Sequence, residues 1–337
     1  LGKPGLSACL ANSFNLNAAS ARFGLVTLYS SAKADPGGFF MSSESRLGVF
    51  TGLGAYVMWG FLPIYFKLVG HVAATDILAH RIAWSLPTGL LLVVIANRWS
   101  ELFALLKSRK ALWLLLSSVL IAGNWLLYIW AVGAERVMEA SLGYFINPLV
   151  NVAIGAIFLS ERLRRLQWVA VAFACAGVAV ETYELGRLPW VALILCATFA
   201  SYAVIRKQVP IDSRVGFTME VLLLFPIAVI WLFVGVQQGR AVFGDGLGDF
   251  GLLMLAGPLT AFPLILFALS ARRLRFSTIG IMQYVGPSLQ FGVALAYGEA
   301  LTPVRLATFA LIWIGVILFS IDAYTHDQKM RRPVRQA

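Results

Sequence analysis

Ser141-Leu-Gly-Tyr-Phe-Ile-Asn-Pro-Leu-Val-Asn151 runs on through Gly155 to Ser160-Glu-Arg-Leu-Arg-Arg165. The stretch reads as an apolar helix with polar residues on one face, a proline in its middle and a cationic stop at its end. A step of 139 residues takes Pro148 to Pro287 and Asn151 to Gln290, inside Tyr284-Val-Gly-Pro-Ser-Leu-Gln290. The same step pairs Pro87 with Pro226 and Tyr144 with Gln283, and a step of 138 pairs Glu161 with Glu299 and Gly177 with Gly315. An ordered series of matches spread over several segments points to an internal duplication.

The duplicated units are hydrophobic. Of the 337 residues 59% are apolar and 13% charged, where a soluble domain carries about 25% charged residues. Lipid is therefore the solvent expected for most of this surface. From Met41 onward, ten apolar runs are long enough to cross a core of about 30 Å: 47–67, 76–96, 111–132, 141–159, 166–183, 188–205, 217–236, 249–270, 277–297 and 304–323. Short connections make neighbouring helices antiparallel. The class expected is an all-α integral membrane protein of ten transmembrane helices in 5+5 inverted-topology repeats. Five spans per unit is odd, so the second unit enters the membrane upside down, and such repeats place a solute site near the midplane where the two meet.

The net charge of +11 is not clustered into a nucleic-acid surface; Lys and Arg sit as short groups between apolar runs. Eighteen fall in alternate connections, beginning with Arg46 and ending with Arg335, against five (Lys67, Arg136, Arg187, Arg240 and Arg305) in the other set. By the positive-inside rule both termini face the cytoplasm, so a multi-pass inner (plasma) membrane protein is expected. The expected divisions are 1–40 as a leader or start-site extension, 41–186 and 187–325 as the two repeats, and 326–337 as a basic tail. Residues 1–40 are Ser-, Ala- and Asn-rich with one acid, Asp35, a composition also open to a targeting reading. Three cysteines make no disulfide framework.

Several phrases carry a resemblance. They are Ala55-Tyr56 with Trp59-Gly60, Pro63 and Tyr65-Phe-Lys-Leu68; His80-Arg81 with Trp84-Ser85; Gly123-Asn-Trp-Leu-Leu127; Glu139 through Asn151; Arg272-Arg-Leu-Arg275; and Gln283-Tyr284. On these, residues 46–324 resemble the drug/metabolite transporter superfamily, its EamA-type branch and most closely the RarD group, commonly labelled chloramphenicol-sensitive permeases. The resemblance implies a ten-helix carrier with 5+5 inverted repeats that exports small organic molecules.

Positions 144, 147, 148, 151 and 155 share one helix face, so Tyr144, Asn147 and Asn151 form a polar stripe facing Gln283, Pro287 and Gln290. Such a cavity has amide donors and acceptors and no fixed charge, which suits a neutral or zwitterionic solute. The plainer reading is interhelical hydrogen bonding, about 0.6 kcal/mol on average between membrane helices. Asn124, Trp125 and Tyr128, with Trp59 and Trp84, offer an aromatic wall; Trp130 and Trp168 read as interface anchors.

Charges inside spans are costly and usually functional. Arg81 and Glu220 are also 139 residues apart; they enter from opposite faces, so a direct ion pair is not expected. Arg81 has the length to snorkel outward, Glu220 is expected as a proton acceptor or substrate contact, with proton coupling through it as the hypothesis, and His80 could titrate near neutral pH. Glu161 and Glu299 read as helix ends, with Thr302-Pro303 as an N-cap and first helical residue. Gly48-x-x-x-Gly52 reads as packing.

The function expected is secondary active transport by alternating access, proton-coupled, of neutral or zwitterionic metabolites or drugs. Alternatives are a membrane scaffold and an acyltransferase-like membrane enzyme using His71 and Asp76, which have the His-x4-Asp spacing. No catalytic residue, cofactor or metal is expected, and the absence of a phosphate-binding loop with its lysine argues against ATP-driven pumping by this chain. The partners expected are a small-molecule solute, the lipid bilayer and protons, with a homodimer open and no nucleic acid.

Overall fold

A hydrogen-bonded backbone that is complete within each segment is the one open-chain solution for crossing lipid. In the computed structural model every regular element among the described residues (43–158, 164–209, 211–271, 273–274 and 282–331) is a helix. In chain order these are α1 (Ser43–Leu68), α2 (Ala74–Ile95), α3 (Trp99–Leu106), α4 (Lys110–Gly133), α5 (Val137–Phe158) and α6 (Arg165–Leu185). There follow α7 (Trp190–Gln208), α8 (Ser213–Gln237), α9 (Leu247–Ala271), α10 (Val285–Ala296) and α11 (Pro303–Arg331). Seven of them are long and apolar enough to cross a membrane, and α7 and α10 supply shorter apolar stretches. Ten of the eleven fall on the ten expected runs.

Two details differ from the sequence reading. The ninth run is interrupted by a turn at Gln283 and Tyr284, after the helical residue Met282, so α10 from Val285 covers about 18 Å at 1.5 Å per residue. Pro287, expected in mid-helix, therefore sits in the first turn, where its missing N–H has no intrahelical partner to lose. The additional helix, α3, is too short to cross lipid. Its Leu102 and Leu105 are buried in one cluster with Val215 and Met219 of α8, while Trp99 and Phe103 stack on each other at its exposed side.

The duplication has a packing consequence. α2 packs along α8, α5 along α10 and α6 along α11, so three helices each lie against their own counterpart five spans later. An odd number of crossings separates the members of each pair, and they run through the bundle in opposite directions. In the α6–α11 pair the backbones approach at the matched glycines. A Cβ on Gly315 would stand 2.8 Å from the Ala170 carbonyl, and one on Gly177 would stand 2.8 Å from the Ile312 side chain. Phe145, Phe291, Phe309 and Trp313 interlock where α5, α10 and α11 meet, with Phe291 and Phe309 centred 4.4 Å apart. Aliphatic and aromatic side chains such as Leu112 and Trp113 of α4 and Ile227, Ile230 and Phe233 of α8 point outward, as expected where lipid replaces water.

At the end of the bundle carrying α3, Asp212 caps α8 by accepting from the Arg214 backbone N–H at 3.0 Å and from its guanidinium at 3.0 and 3.1 Å. The side-chain hydrogen bond from Arg214 holds the Asp212 carboxyl at about 2, below its usual 3.8. A depressed carboxylate pKa stabilises the fold above its unfolded value and loses that contribution as pH falls through the folded one. Asp212→Ala is expected to cost about 1 kcal/mol, typical of a lost N-cap, in thermal unfolding at pH 7. The difference from wild type should shrink between pH 4 and pH 2. Gly315→Leu should cost about 1–3 kcal/mol by overpacking, read from the melting temperature in detergent.

Candidate solute and coupling sites

Arg81 lies seven residues into α2, about 10 Å from the helix start at 1.5 Å per residue. It does not snorkel. The residue is 5% exposed, and its guanidinium lies over the Trp125 ring at 4.1 Å and the Phe66 ring at 5.7 Å. Its Nε donates to the Thr260 hydroxyl of α9 at 2.8 Å, and Thr260 in turn donates to the Ala256 carbonyl. The phenols of Tyr144, Tyr65 and Tyr128 lie within electrostatic reach of the charge. A charge this deep costs about 3 kcal/mol on insertion scales, and cation–π contact with Trp125 offsets part of that. A cavity without fixed charge is expected from the sequence; the buried Arg81 cation lies within electrostatic reach of Tyr144.

Asn124 of α4 organises the polar layer next to it. Its amide donates to the Leu195 carbonyl at 2.8 Å and the Thr198 hydroxyl at 2.9 Å, and its carbonyl accepts from Tyr144 at 3.3 Å. Asn124, expected to line a cavity, thus also ties α4 to α5 and α7. Asn147 faces Cys196 of α7, whose thiol lies 3.9 Å from the Asn147 carbonyl oxygen, while the amide nitrogen is buried without a partner. On the α10 side Ser141 donates to the Pro287 carbonyl at 2.8 Å. Gln290 donates to the Trp59 carbonyl at 3.1 Å, and its own carbonyl oxygen is buried and unpartnered. Trp59 packs against Tyr56 and Phe267. The structure thus joins Asn124 with Tyr144, and Trp59 with Gln290. Gln283 sits half-buried on the turn before α10. The side chains of Pro148, Asn151 and Gly155 and all of Glu161 lie outside the described residues.

Glu220 of α8 occupies a second buried cell. It accepts from Ser117 of α4 at 2.6 Å and from Tyr202 of α7 at 3.4 Å, and Arg206 stands 3.6 Å away. Arg81 and Glu220 share no contact, as the opposed entry of their helices requires. Their cells are related nonetheless: Arg81 reaches from α2 to a hydroxyl on α9, and Glu220 reaches from α8 to a hydroxyl on α4, which are the corresponding helices of the two repeats. Ser117, Tyr202, Arg206 and Thr260 went unrecognised in the sequence. Arg206 read there as an orientation charge, and a lone hydroxyl in an apolar helix usually bonds its own backbone.

At the other end of the bundle, polar contacts join the repeats. Glu299 accepts from the N–H groups of Val137 and Met138 at 2.7 and 2.9 Å, capping α5 from the turn after α10. Its helix-end reading stands, and burial pushes its carboxyl above the usual range against the pull of those two bonds. Thr302 caps α11 through the Arg305 N–H at 3.1 Å, as expected. Asp76 accepts from Trp231 and Arg240, both at 2.7 Å, while His71 bonds Asp249 at 2.8 Å. The His-x4-Asp spacing therefore makes no pair, and each member serves a different loop contact. His80, beside Arg81, donates its Nε2–H to the Val242 carbonyl at 2.9 Å and packs edge-on to Phe243.

The EamA-like transporter family matches residues 46–183. Protein RarD of Salmonella typhi is 44% identical over 292 residues, covering 86% of this chain and 99% of that protein. The chain belongs to the RarD group of EamA-type drug/metabolite transporters. An uncharacterized transporter of Vibrio cholerae is 40% identical over 292 residues, 86% of this chain and 97% of that protein. A solved structure superposes with a TM-score of 0.54 at 18% identity, over 85% of this chain and 99% of that one, which concerns the fold alone. As an EamA-type protein the chain is a multi-pass membrane transporter, and its buried polar layer lies inside a carrier bundle.

If Asn124 is the tie between α4, α5 and α7, Asn124→Leu should cost about 1–2 kcal/mol because it leaves the Tyr144 hydroxyl without its acceptor. Tyr144→Phe should cost about 0.6 kcal/mol, the average for such bonds. The double variant should cost less than the sum, read by unfolding in mixed micelles.

Proposed function

We propose that the chain is a secondary active transporter that exports small neutral or zwitterionic organic solutes by alternating access, with proton coupling at Glu220. The observation that carries this reading is the buried polar layer of Asn124, Tyr144, Asn147 and Gln290, with unpartnered amide atoms on Asn147 and Gln290. Buried amides lacking partners cost about 1–3 kcal/mol each, and a polar solute arriving from water supplies what they lack. Trp59 and Trp125 provide the apolar face for its carbon skeleton. Of the two solute classes the zwitterion is favoured, because the Arg81 cation lies within electrostatic reach of Tyr144.

Glu220 supports coupling through its partners. As a carboxylate it accepts from Ser117 and Tyr202 and faces Arg206. Protonated, it becomes a donor and Arg206 loses its counter-charge, so proton transfer alters the tie between α4, α7 and α8. Rocking of residues 41–186 against 187–325 would then open one end as the Glu299 and Asp76 contacts hold or release the other. Both termini are assigned to the cytoplasmic side on their Lys and Arg loops, and His80 is assigned to gating through its bond to the loop at Val242.

Glu220→Gln in proteoliposomes should abolish solute flux driven by an imposed pH gradient while leaving solute exchange at zero gradient largely intact. Undiminished pH-driven flux in that variant would overturn coupling at Glu220.

A further inference from the structure

We propose that Arg81 is the docking cation for the carboxylate of the transported solute. The inference deepens the transporter reading and rests on it for the solute's route, though not for its binding. Other buried or half-buried arginines of the bundle face an acid of the protein: Arg136 pairs with Glu139, Arg206 with Glu220 and Arg240 with Asp76. Arg81 is buried more deeply than these, and among the described residues its partners are one hydroxyl and two aromatic faces, with no carboxylate.

The cell holds donors in excess. Nη1 of Arg81 is buried with no acceptor, and the hydroxyl of Tyr128 is likewise buried with none. Both residues are at least nine-tenths buried, at 5% and 3% exposure. Tyr144, Tyr65 and Thr260 donate to Asn124, the Leu252 carbonyl and the Ala256 carbonyl, and no oxygen among the described residues lies in hydrogen-bonding geometry to either orphan donor. What the cell lacks is one negative charge and two acceptor oxygens. A carboxylate supplies both, one oxygen for each donor, with the bonds strengthened by charge. A doubly charged phosphate would bring one charge too many for a single guanidinium. The Trp125 and Phe66 rings flanking the cation provide an apolar wall for the rest of the molecule, which points to amino acids and small organic acids with apolar or aromatic side chains.

A cation buried at this depth without a counter-charge is costly, and a bound carboxylate offsets that cost.

The test compares matched pairs on purified protein in lipid nanodiscs: phenylalanine, leucine and 3-phenylpropionate, each against its carboxamide. Binding is read by thermal stabilisation and by tryptophan fluorescence, to which Trp125 contributes. At least one carboxylate should bind tenfold or more tightly than its carboxamide. Arg81→Gln should remove that preference without weakening the carboxamide, Arg81→Lys should keep part of it, and Tyr128→Phe should lower carboxylate affinity several-fold. Without ligand, Arg81→Gln should melt no lower than a few degrees below wild type, since it removes an unpaired charge; if it does not fold, Arg81→Lys and Tyr128→Phe decide. Equal binding of acid and amide, a preference that survives in Arg81→Gln, equal stabilisation by chloride, or no carboxylate binding at all would each overturn the assignment. Flux in proteoliposomes separates the two claims. Carboxylate binding without flux above empty liposomes refutes transport and leaves the site; flux of carboxamides equal to that of carboxylates refutes the site and leaves transport.

Discussion

Within a lipid core no water meets a stray donor or acceptor, so each polar atom on these helices depends on another part of the bundle. That constraint accounts for most of the named contacts. Asn124 holds the Leu195 carbonyl and receives Tyr144; Ser141 seeks the Pro287 carbonyl; Gln290 seeks that of Trp59. Where the bundle does not complete the set, as at Arg81, Tyr128, Asn147 and Gln290, the remaining atoms are buried without a partner. In a transporter these are the groups a polar solute can satisfy.

The duplication turns this chemistry into a two-sided arrangement. Corresponding helices lie against each other, α2 on α8 and α6 on α11, with matched glycines bringing the second pair close. The charged positions of the two units correspond in place and differ in sign. Arg81 has aromatic faces and a hydroxyl, whereas Glu220 has two hydroxyls and a cation of its own. One cell therefore lacks a counter-charge and the other contains one. This asymmetry suits a carrier in which one unit takes the solute and the other the coupling ion.

Particular residues mark how far the sequence could be read. Ten spans were legible because lipid-thick apolar runs are a strong, one-dimensional signal, and the recurrence of Pro87 and Gly177 in the second unit exposed the repeat. The helix-end roles of Glu299 and Thr302 followed from local capping chemistry, since their neighbours in sequence set the turn. α3 was hidden because an eight-residue helix carries too short a pattern to separate from a polar loop. The start of α10 at Val285 was hidden because hydropathy continues smoothly across the turn at Gln283 and Tyr284.

The sites divide along the same line. That Arg81 and Glu220 are charges inside apolar runs was readable directly, and a charge there is costly. What surrounds them was not. Thr260 lies 179 residues from Arg81 and Ser117 lies 103 residues from Glu220, and no local pattern links residues so far apart. The sequence alone determined the solvent, the number of crossings and the duplication, since each is written in composition and period along the chain. Only the tertiary structure decided that Arg81 turns inward, that His71 and Asp76 part company, and that two donors are left unmet, because packing between distant helices chooses which polar atoms meet.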